Sequence, residues 1–538
     1  GDPTTVDIQA IWSGRSARDR LRVPIGVTPA GTPVELDIKE SALDGMGPHG
    51  LLIGATGSGK SELLRTLVVA LALTHSSETL NFVLVDFKGG ATFTKLEALP
   101  HTSAVITNLE DELPLVDRMN DAIDGELYRR QELLRRAGDF KSIHDYEQAR
   151  AAGAPLAPLP SLLIICDEFS ELLTNKPEFI DLFLKIGRVG RSLGVHLLLA
   201  SQQLEEGRLR GLDTHLSYRI GLRTFSAMES RVVLGDTVAY ELPRAPGHGY
   251  LRFGTEPLVR FKAAYVSGPY RPPATPESGS APAEVMVEEY TTGYVTQPDA
   301  TVRVAPQQPA ESTETASLLD IVVARLAGQG PPAHQVWLPP LKEAIPLNEI
   351  VPNLVVTPDR GITVEPAHLR GALRVPVGLV DRPFDQRREG LWLDLSGSGG
   401  HAVVVGGPQS GKSTFLRTLI VGIALTHTPR EAQIYCLDFG GGSLASIRDL
   451  PHVGTVASRL DTGTVRRTVA EVHQLLRERE SRFTANGIDS MATYRRRRAA
   501  GEFSDDPFGD VFLVIDGWTA IRSEFDDLEP KLADLISR

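Results

Sequence analysis

The sequence predicts an α/β chain in which one module occurs twice, each copy a mainly parallel sheet flanked by helices, with a Pro-rich linker between them. Three observations predict it. First, segments recur at a constant offset of 352 positions: Arg22-Val23-Pro24-Ile25-Gly26 returns as Arg374-Val375-Pro376-Val377-Gly378, GATGSGKS as GGPQSGKS, and DFKGG from Asp86 as DFGGG from Asp438. Three segments holding one offset mark a duplicated domain and not a short-period solenoid. Second, short apolar runs alternate with helical patterns, as in parallel sheets covered on both faces. Third, each copy has a glycine-rich loop lying between an apolar run and a helix-forming stretch.

Length and composition set the frame. A chain of 538 residues is too long for one core. The boundaries read as a first domain over 1–267, a linker with short strands and a helix over 268–345, and a second domain over 346–538 that stops short of its C-terminal end. The 41% hydrophobic and 23% charged residues are those of an ordinary globular protein. A formal net charge of −12 argues against a surface built to neutralise nucleic-acid phosphates, so no nucleic-acid partner is expected. Cys166 and Cys436 each sit inside an apolar run and read as core thiols of a reducing compartment. The longest apolar stretches are broken by Arg65 and Arg417, below the roughly 18–20 residues a membrane helix needs. The opening Gly-Asp-Pro reads as the start of an excised cytoplasmic fragment, which leaves room for a membrane anchor in a longer parent.

In the first copy, GLLIG is a strand leading into the glycine loop, followed by helix SELLRTLVVALAL. NFVLVDF is a second strand, and a long polar helix runs through DGELYRRQELLRRAG. SLLIICDEF forms a third strand, and EFIDLFLKIGRVGRS a helix that enters a fourth, GVHLLLASQ. Between the copies, the Pro-, Ser- and Glu-rich composition offers little apolar area to offset chain entropy. Within it, EVMVEEYTTGYV suits a short strand pair and SLLDIVVARLAGQG an amphipathic helix of the kind that docks on a flanking domain. In the second copy only a helix-like stretch follows FLVIDGW, so the counterpart of GVHLLLASQ is missing.

Gly54, Ala55, Thr56, Gly57, Ser58, Gly59, Lys60 and Ser61 match the phosphate-binding P-loop, in the expected place between strand and helix. Its backbone N–H groups and the helix N-terminus favour an anion. Lys60 is assigned to the β- and γ-phosphates of ATP and the Ser61 hydroxyl to Mg²⁺. Asp167, ending the third apolar strand, is assigned to the Mg²⁺ shell, and Glu168 to the general base or the positioning of water. Gln202 ends the fourth strand, where sensing of the γ-phosphate competes with loop capping. Asp86 and Lys88 share that edge with the same ambiguity. Arg188 and Arg191 precede the fourth strand, and either suits a finger reaching a neighbouring subunit.

The second copy repeats the loop as Gly406, Gly407, Pro408, Gln409, Ser410, Gly411, Lys412 and Ser413, followed by Thr414, with Asp516 ending FLVID. Ser413 and Asp516 are its expected Mg²⁺ ligands. Gly517 stands where the first copy has Glu168, and Gly440 answers Lys88. This site keeps the residues for binding ATP and lacks the base. Two RecA-like P-loop modules are therefore expected, with only the first hydrolytic.

MGPHGLLIGATGSGKSELLRTL, VLVDFKGGATF, LPHTSAVITNL, IGRVGRSLGVHLLLASQ and SYRIGLRTFSAMESRVVLG resemble the first ATPase domain of the EccC ATPases of type VII secretion systems, within the FtsK/SpoIIIE class. HAVVVGGPQSGKSTFLRTLI, CLDFGGG, LPHVGTVASRLD, GIDSMATYRRRR and FLVIDGW resemble the second. The resemblance implies a motor for protein export, anchored in the cell membrane by segments outside this chain and working as a hexamer with other membrane components of the system. It also implies a third ATPase domain associated with small helical secreted proteins, and it matches Arg191 to the trans-acting arginine. The competing readings are an FtsK-like DNA translocase, for which the run Arg495 to Arg498 reads only as a solvated face, and a nucleotide-gated scaffold that rarely turns over.

Overall fold

A computed structural model describes residues 2–16, 18–89, 92–110, 113–204, 207, 209, 211–270, 316–342, 344–397 and 400–537. The expected strand pair in 284–295 lies outside them. The chain divides into two compact units, Gly1–Leu338 with Pro383–Gln386, and Pro339–Arg382 with Arg387–Arg538.

In chain order the first unit contains α1 (Ile8–Ser13), β1 (Arg22–Val27), β2 (Pro33–Asp37), β3 (His49–Ile53), α2 (Lys60–Thr74), β4 (Leu80–Asp86), β5 (Thr102–Ile106), α3 (Leu113–Arg136), α4 (Ile143–Ala151), β6 (Ser161–Asp167), α5 (Phe169–Asn175), α6 (Ile180–Leu193), β7 (Val195–Ser201), β8 (Tyr218–Leu222), α7 (Ala227–Leu234), β9 (His248–Phe253), β10 (Val259–Ala263) and α8 (Leu318–Leu326). Its ten strands form one sheet in the order β2-β1-β10-β9-β8-β3-β7-β6-β4-β5. The segment from β8 through β3, β7, β6 and β4 to β5 is parallel throughout, and β9, β10, β1 and β2 extend it antiparallel.

Every residue of β3, β4, β6 and β7 is buried. Their side chains alternate between two cores, as the strand period of two requires. Val83, Val85, Ile164, Cys166, Leu197 and Leu199 join α3, α5 and α6 on one face. Phe82, Leu84, Leu163, Ile165, Leu198 and Ala200 join α2 on the other. Cys166 is a free core thiol whose ionisation burial pushes upward.

The part of the connection over 316–338 belongs to this compact unit. The reason is apolar area. Leu319, Val322, Val323 and Leu326 of α8 are buried in the same core as α2, and a capping box between Ser317 and Asp320 starts the helix. The chain then runs along β5, where Ala333 N–H donates to Pro100 O at 2.7 Å and Trp337 is stacked by the Arg118 guanidinium.

The second unit contains β11 (Leu354–Thr357), β12 (Gly361–Val364), β13 (Arg374–Arg382), β14 (Arg387–Asp394), α9 (Lys412–Thr426), β15 (Ala432–Asp438), β16 (Val453–Ser458), α10 (Thr462–Asn486), α11 (Met491–Ala499), β17 (Asp510–Asp516), α12 (Trp518–Glu524) and α13 (Glu529–Ser537). Two antiparallel hairpins, β11-β12 and β13-β14, accompany a parallel sheet in the order β16-β15-β17. Residues 401–407, the counterpart of β3 and the start of its loop, form no strand, and Val403 and Val405 are 87% and 89% exposed. In the first unit β3 is bonded by β7 and β8, not by β4. Among the described residues of the second unit, none pairs with this run. The arginine run is less solvated than its charge suggests. Arg495 pairs with Asp510, Arg497 with Glu502, and Arg498 donates to the Asp506 and Arg430 carbonyls.

The duplication extends to buried detail. Nε2 of His75 accepts the Leu21 N–H at 2.8 Å, and Nε2 of His427 accepts that of Leu373 at 3.2 Å. Both leucines hold positive φ. Burial holds His49, His75 and His101 at about 4 and His196 at about 3, against the usual 6.5. Between pH 6.5 and 4 the unfolded chain takes up these protons while the folded unit does not, so stability is complete above 6.5 and is lost as pH falls through that window. A melting temperature that drops between pH 7.5 and 5 is expected; an unchanged one contradicts this account.

Candidate functional site

A parallel sheet buried on both faces leaves the C-terminal strand ends as the place for polar groups, and ligands bind there in open α/β sheets. At that edge β3 runs into the loop Gly54 to Ser61. Gly54 N–H donates to Ser201 O at 3.2 Å and Ala55 N–H to Arg223 O at 2.8 Å, tying the loop to β7 and to the end of β8. Gly57 and Gly59 take φ of +78° and +97°, values that favour glycine. The loop delivers the chain into α2 at Lys60, with Ser61 one residue inside the helix.

Asp167 ends β6, and Glu168 follows at φ +59° as the first cap of α5. A glutamate in the left-handed region is unusual, and the turn aims it back toward the loop. Lys60 Nζ donates to Asp167 Oδ1 and, at 2.8 Å, to Glu168 Oε1, with all three side chains buried. Burial raises Asp167 to about 6, against the opposing pull of Lys60. Glu168 Oε2 accepts from Ser201 Oγ and from Gln202 N–H, each at 3.4 Å. Gln202 Oε1 accepts from Thr56 Oγ at 2.7 Å. Lys60, Asp167, Glu168, Gln202 and Thr56 thus converge on one point, at the mouth of a helix N-terminus.

Other expected residues lie elsewhere or do other work. Arg191, in the last turn of α6, is exposed and donates from Nε to Glu40 Oε2 at 2.5 Å, away from the Lys60 cluster of its own chain. Arg188 is exposed on the same helix. Lys88 pairs with Glu171 at 3.2 Å. Asp438, the counterpart of Asp86, accepts from the N–H groups of Gly440, Gly442 and Leu444, which makes it a loop cap. Sequence reasoning missed Ser201, one residue before Gln202, and the strap at Gly247. Gly247 N–H donates to Ser58 O at 2.7 Å, and a Cβ on Gly59 would stand 2.8 Å from the Gly247 nitrogen. The glycine pair in PGHGY was the available signal.

The second loop differs in support. Lys412 is half-buried and donates to the Gly406 and Gly407 carbonyls at 2.8 and 2.6 Å. Gly517 takes φ +87°, the backbone conformation of Glu168 without its carboxylate. A Cβ on Gly440 would stand 2.4 Å from Asp516 Oδ2, so a lysine there, as at Lys88, would require that carboxylate to move. Asp516 Oδ2 is buried with no hydrogen-bond partner among the described residues.

These donor sets fit a magnesium nucleotide. In each unit a hydroxyl (Ser61, Ser413) and a carboxylate (Asp167, Asp516) offer hard oxygens to an ion that keeps most of its waters. A lysine and the backbone N–H groups of a glycine loop at a helix N-terminus are the groups that suit phosphates. Only the first unit adds a second carboxylate beside them.

The FtsK/SpoIIIE family model matches residues 8–206 and 372–537, once in each unit, and the chain belongs to that family. It is 62% identical over its whole length to the ESX secretion system protein EccC of Thermomonospora curvata, and 53% identical to the ESX-4 secretion system protein EccC4 of Mycobacterium tuberculosis. The chain spans 41% and 42% of the length of these two relatives. Among solved structures, the cytoplasmic domain of the Thermomonospora curvata Type VII Secretion ATPase EccC superimposes with a TM-score of 0.90 at 60% identity, covering 100% of this chain and 58% of that one. The two units are RecA-like P-loop ATPase modules.

The contrast between Glu168 and Gly517 has a measurable backbone side. Gly517→Glu should cost about 1–2 kcal/mol of stability at this φ, and Gly517→Ala a similar amount, because the left-handed backbone penalises any Cβ. Denaturant midpoints unchanged from wild type would contradict this.

Proposed function

We propose that the first unit hydrolyses ATP and the second binds it without turnover, as part of a motor for protein export through a type VII secretion system. The observation that carries the reading is the buried Lys60 clamped between Asp167 and Glu168, set against a half-buried Lys412 that donates only to loop carbonyls and a Gly517 in place of the second carboxylate. Without nucleotide, Lys60 neutralises two carboxylates that burial would otherwise penalise. Phosphates arriving at the loop draw the ammonium away and free both. Asp167 and Ser61 would hold Mg²⁺, which would supply neutralisation of the developing phosphate charge. Glu168 takes the proton of the attacking water, and Gln202 orients that water or reads the γ-phosphate.

In the second unit, Ser413 and the unpartnered oxygen of Asp516 suit Mg²⁺, and no group at Gly517 accepts a proton. ATP bound there persists and stabilises the unit by mass action. The export role rests on the ESX relatives, which the chain matches along its full length. On the same ground we place the chain on the cytoplasmic side of a protein anchored in the cell membrane, working with the other membrane components of the system on small secreted helical proteins. No described helix is long and apolar enough to cross a membrane. Arg191 completes the site of a neighbouring subunit in a ring of six, since its exposed guanidinium lies apart from the Lys60 cluster of its own chain.

Glu168→Gln should retain ATP binding and lower turnover by about 10²–10⁴-fold. In parallel, Lys60→Ala should abolish most hydrolysis, whereas Lys412→Ala should spare hydrolysis and lose a retained ATP identified by chromatography of the denatured protein. Hydrolysis that disappears with Lys412→Ala instead would reverse the division of labour. For the trans-acting arginine, turnover per subunit should rise with protein concentration or enforced assembly, and Arg191→Ala should cost about 10³-fold in the assembled state. An assembled Arg191→Ala protein with normal turnover would assign that residue a structural role only.

A further inference from the structure

Thr56 stands in the phosphate loop but does more than line it. Its hydroxyl donates to Gln202 Oε1 at 2.7 Å, linking the loop to the end of β7 across 146 positions of sequence. Both ends of that link are anchored by backbone. Thr56 lies between Ala55, whose N–H is held by Arg223 O, and Gly57 in its left-handed turn. Gln202 directs its own N–H at Glu168 Oε2. One glutamine therefore touches the loop with its side chain and the proposed base with its backbone. With Oε1 engaged by Thr56, the carboxamide has its NH₂ end left to donate, and no hydrogen bond from Nε2 to a described residue competes for it.

The duplicated module supplies a comparison within the chain. Position 408, which answers Thr56 at the 352 offset, is Pro408, with neither a hydroxyl nor an N–H. The copy that lacks the carboxylate at Gly517 also lacks the donor. Thr56 is exposed and Gln202 only partly buried, so a bond between them contributes little to folding and its value lies in orientation.

We propose that Thr56 is a positioning residue for hydrolysis: by holding Oε1 of Gln202 it turns the NH₂ of that carboxamide toward the γ-phosphate and the attacking water. The inference rests on the hydrolytic reading of the first unit. It concerns the Thr56 side chain and leaves its backbone in the phosphate loop.

Steady-state hydrolysis by the full chain tests it with Thr56→Val, Thr56→Ser, Gln202→Ala, the double variant Thr56→Val/Gln202→Ala, and Glu168→Gln as reference. Thr56→Val keeps the shape and removes the donor. It should lower kcat by about 3- to 10-fold, the range for one lost hydrogen bond, with KM for ATP nearly unchanged. Thr56→Ser should restore kcat, and the double variant should be no slower than Gln202→Ala alone. A raised KM with unchanged kcat, multiplicative losses in the double variant, or normal turnover by Thr56→Val would each overturn the proposal. Turnover that also survives Glu168→Gln would overturn the hydrolytic reading beneath it.

Discussion

The buried ion triplet of Lys60, Asp167 and Glu168 is the interaction on which the first unit's edge depends. It is a consequence of the sheet. Strands β3, β4, β6 and β7 are covered on both faces, so none of them can carry a charge along its length without a partner. Charge collects where the strands end. There, two adjacent carboxylates at the end of β6 are tolerable only with a cation between them, and the first residue of α2 provides it. The elevated Asp167 shows that the compensation is incomplete. A site held in that balance favours any ligand that supplies negative charge to the lysine and positive charge to the carboxylates, as a magnesium nucleotide does.

Duplication shows which features belong to the scaffold and which to chemistry. The histidine that accepts a backbone N–H from a positive-φ leucine is kept in both units, with the same pair of contacts. So is the helix that leaves the glycine loop, α2 in one unit and α9 in the other. What changes lies at the strand ends: Glu168 becomes Gly517, Thr56 becomes Pro408 and Lys88 becomes Gly440. These substitutions fall just outside β15, β17 and α9, which keep their places in the module. The backbone turn that throws Glu168 toward the loop persists at Gly517, where it costs nothing because glycine has no Cβ to strain.

The connection between the units obeys the same economy of apolar area. A segment rich in Pro, Ser and Glu gives a sheet nothing to bury, whereas α8 carries four buried aliphatic side chains and becomes part of the first unit's core. Trp337 and Val336 extend that attachment to the opposite face. Covalent order along the chain is therefore a poor guide to membership of a domain. Burial decides it.

Periodicity and spacing in the sequence alone determined the alternation of strands and helices, the duplication at 352 positions, and the identity of the groups at the strand ends. Each follows from a local rule: apolar runs bury, glycines turn, and carboxylates at the ends of buried strands need a partner. The sequence could not determine which groups meet. That Gln202 takes a hydroxyl from Thr56 and gives an N–H to Glu168 depends on β7 lying between β3 and β6, an order that sequence succession does not reveal.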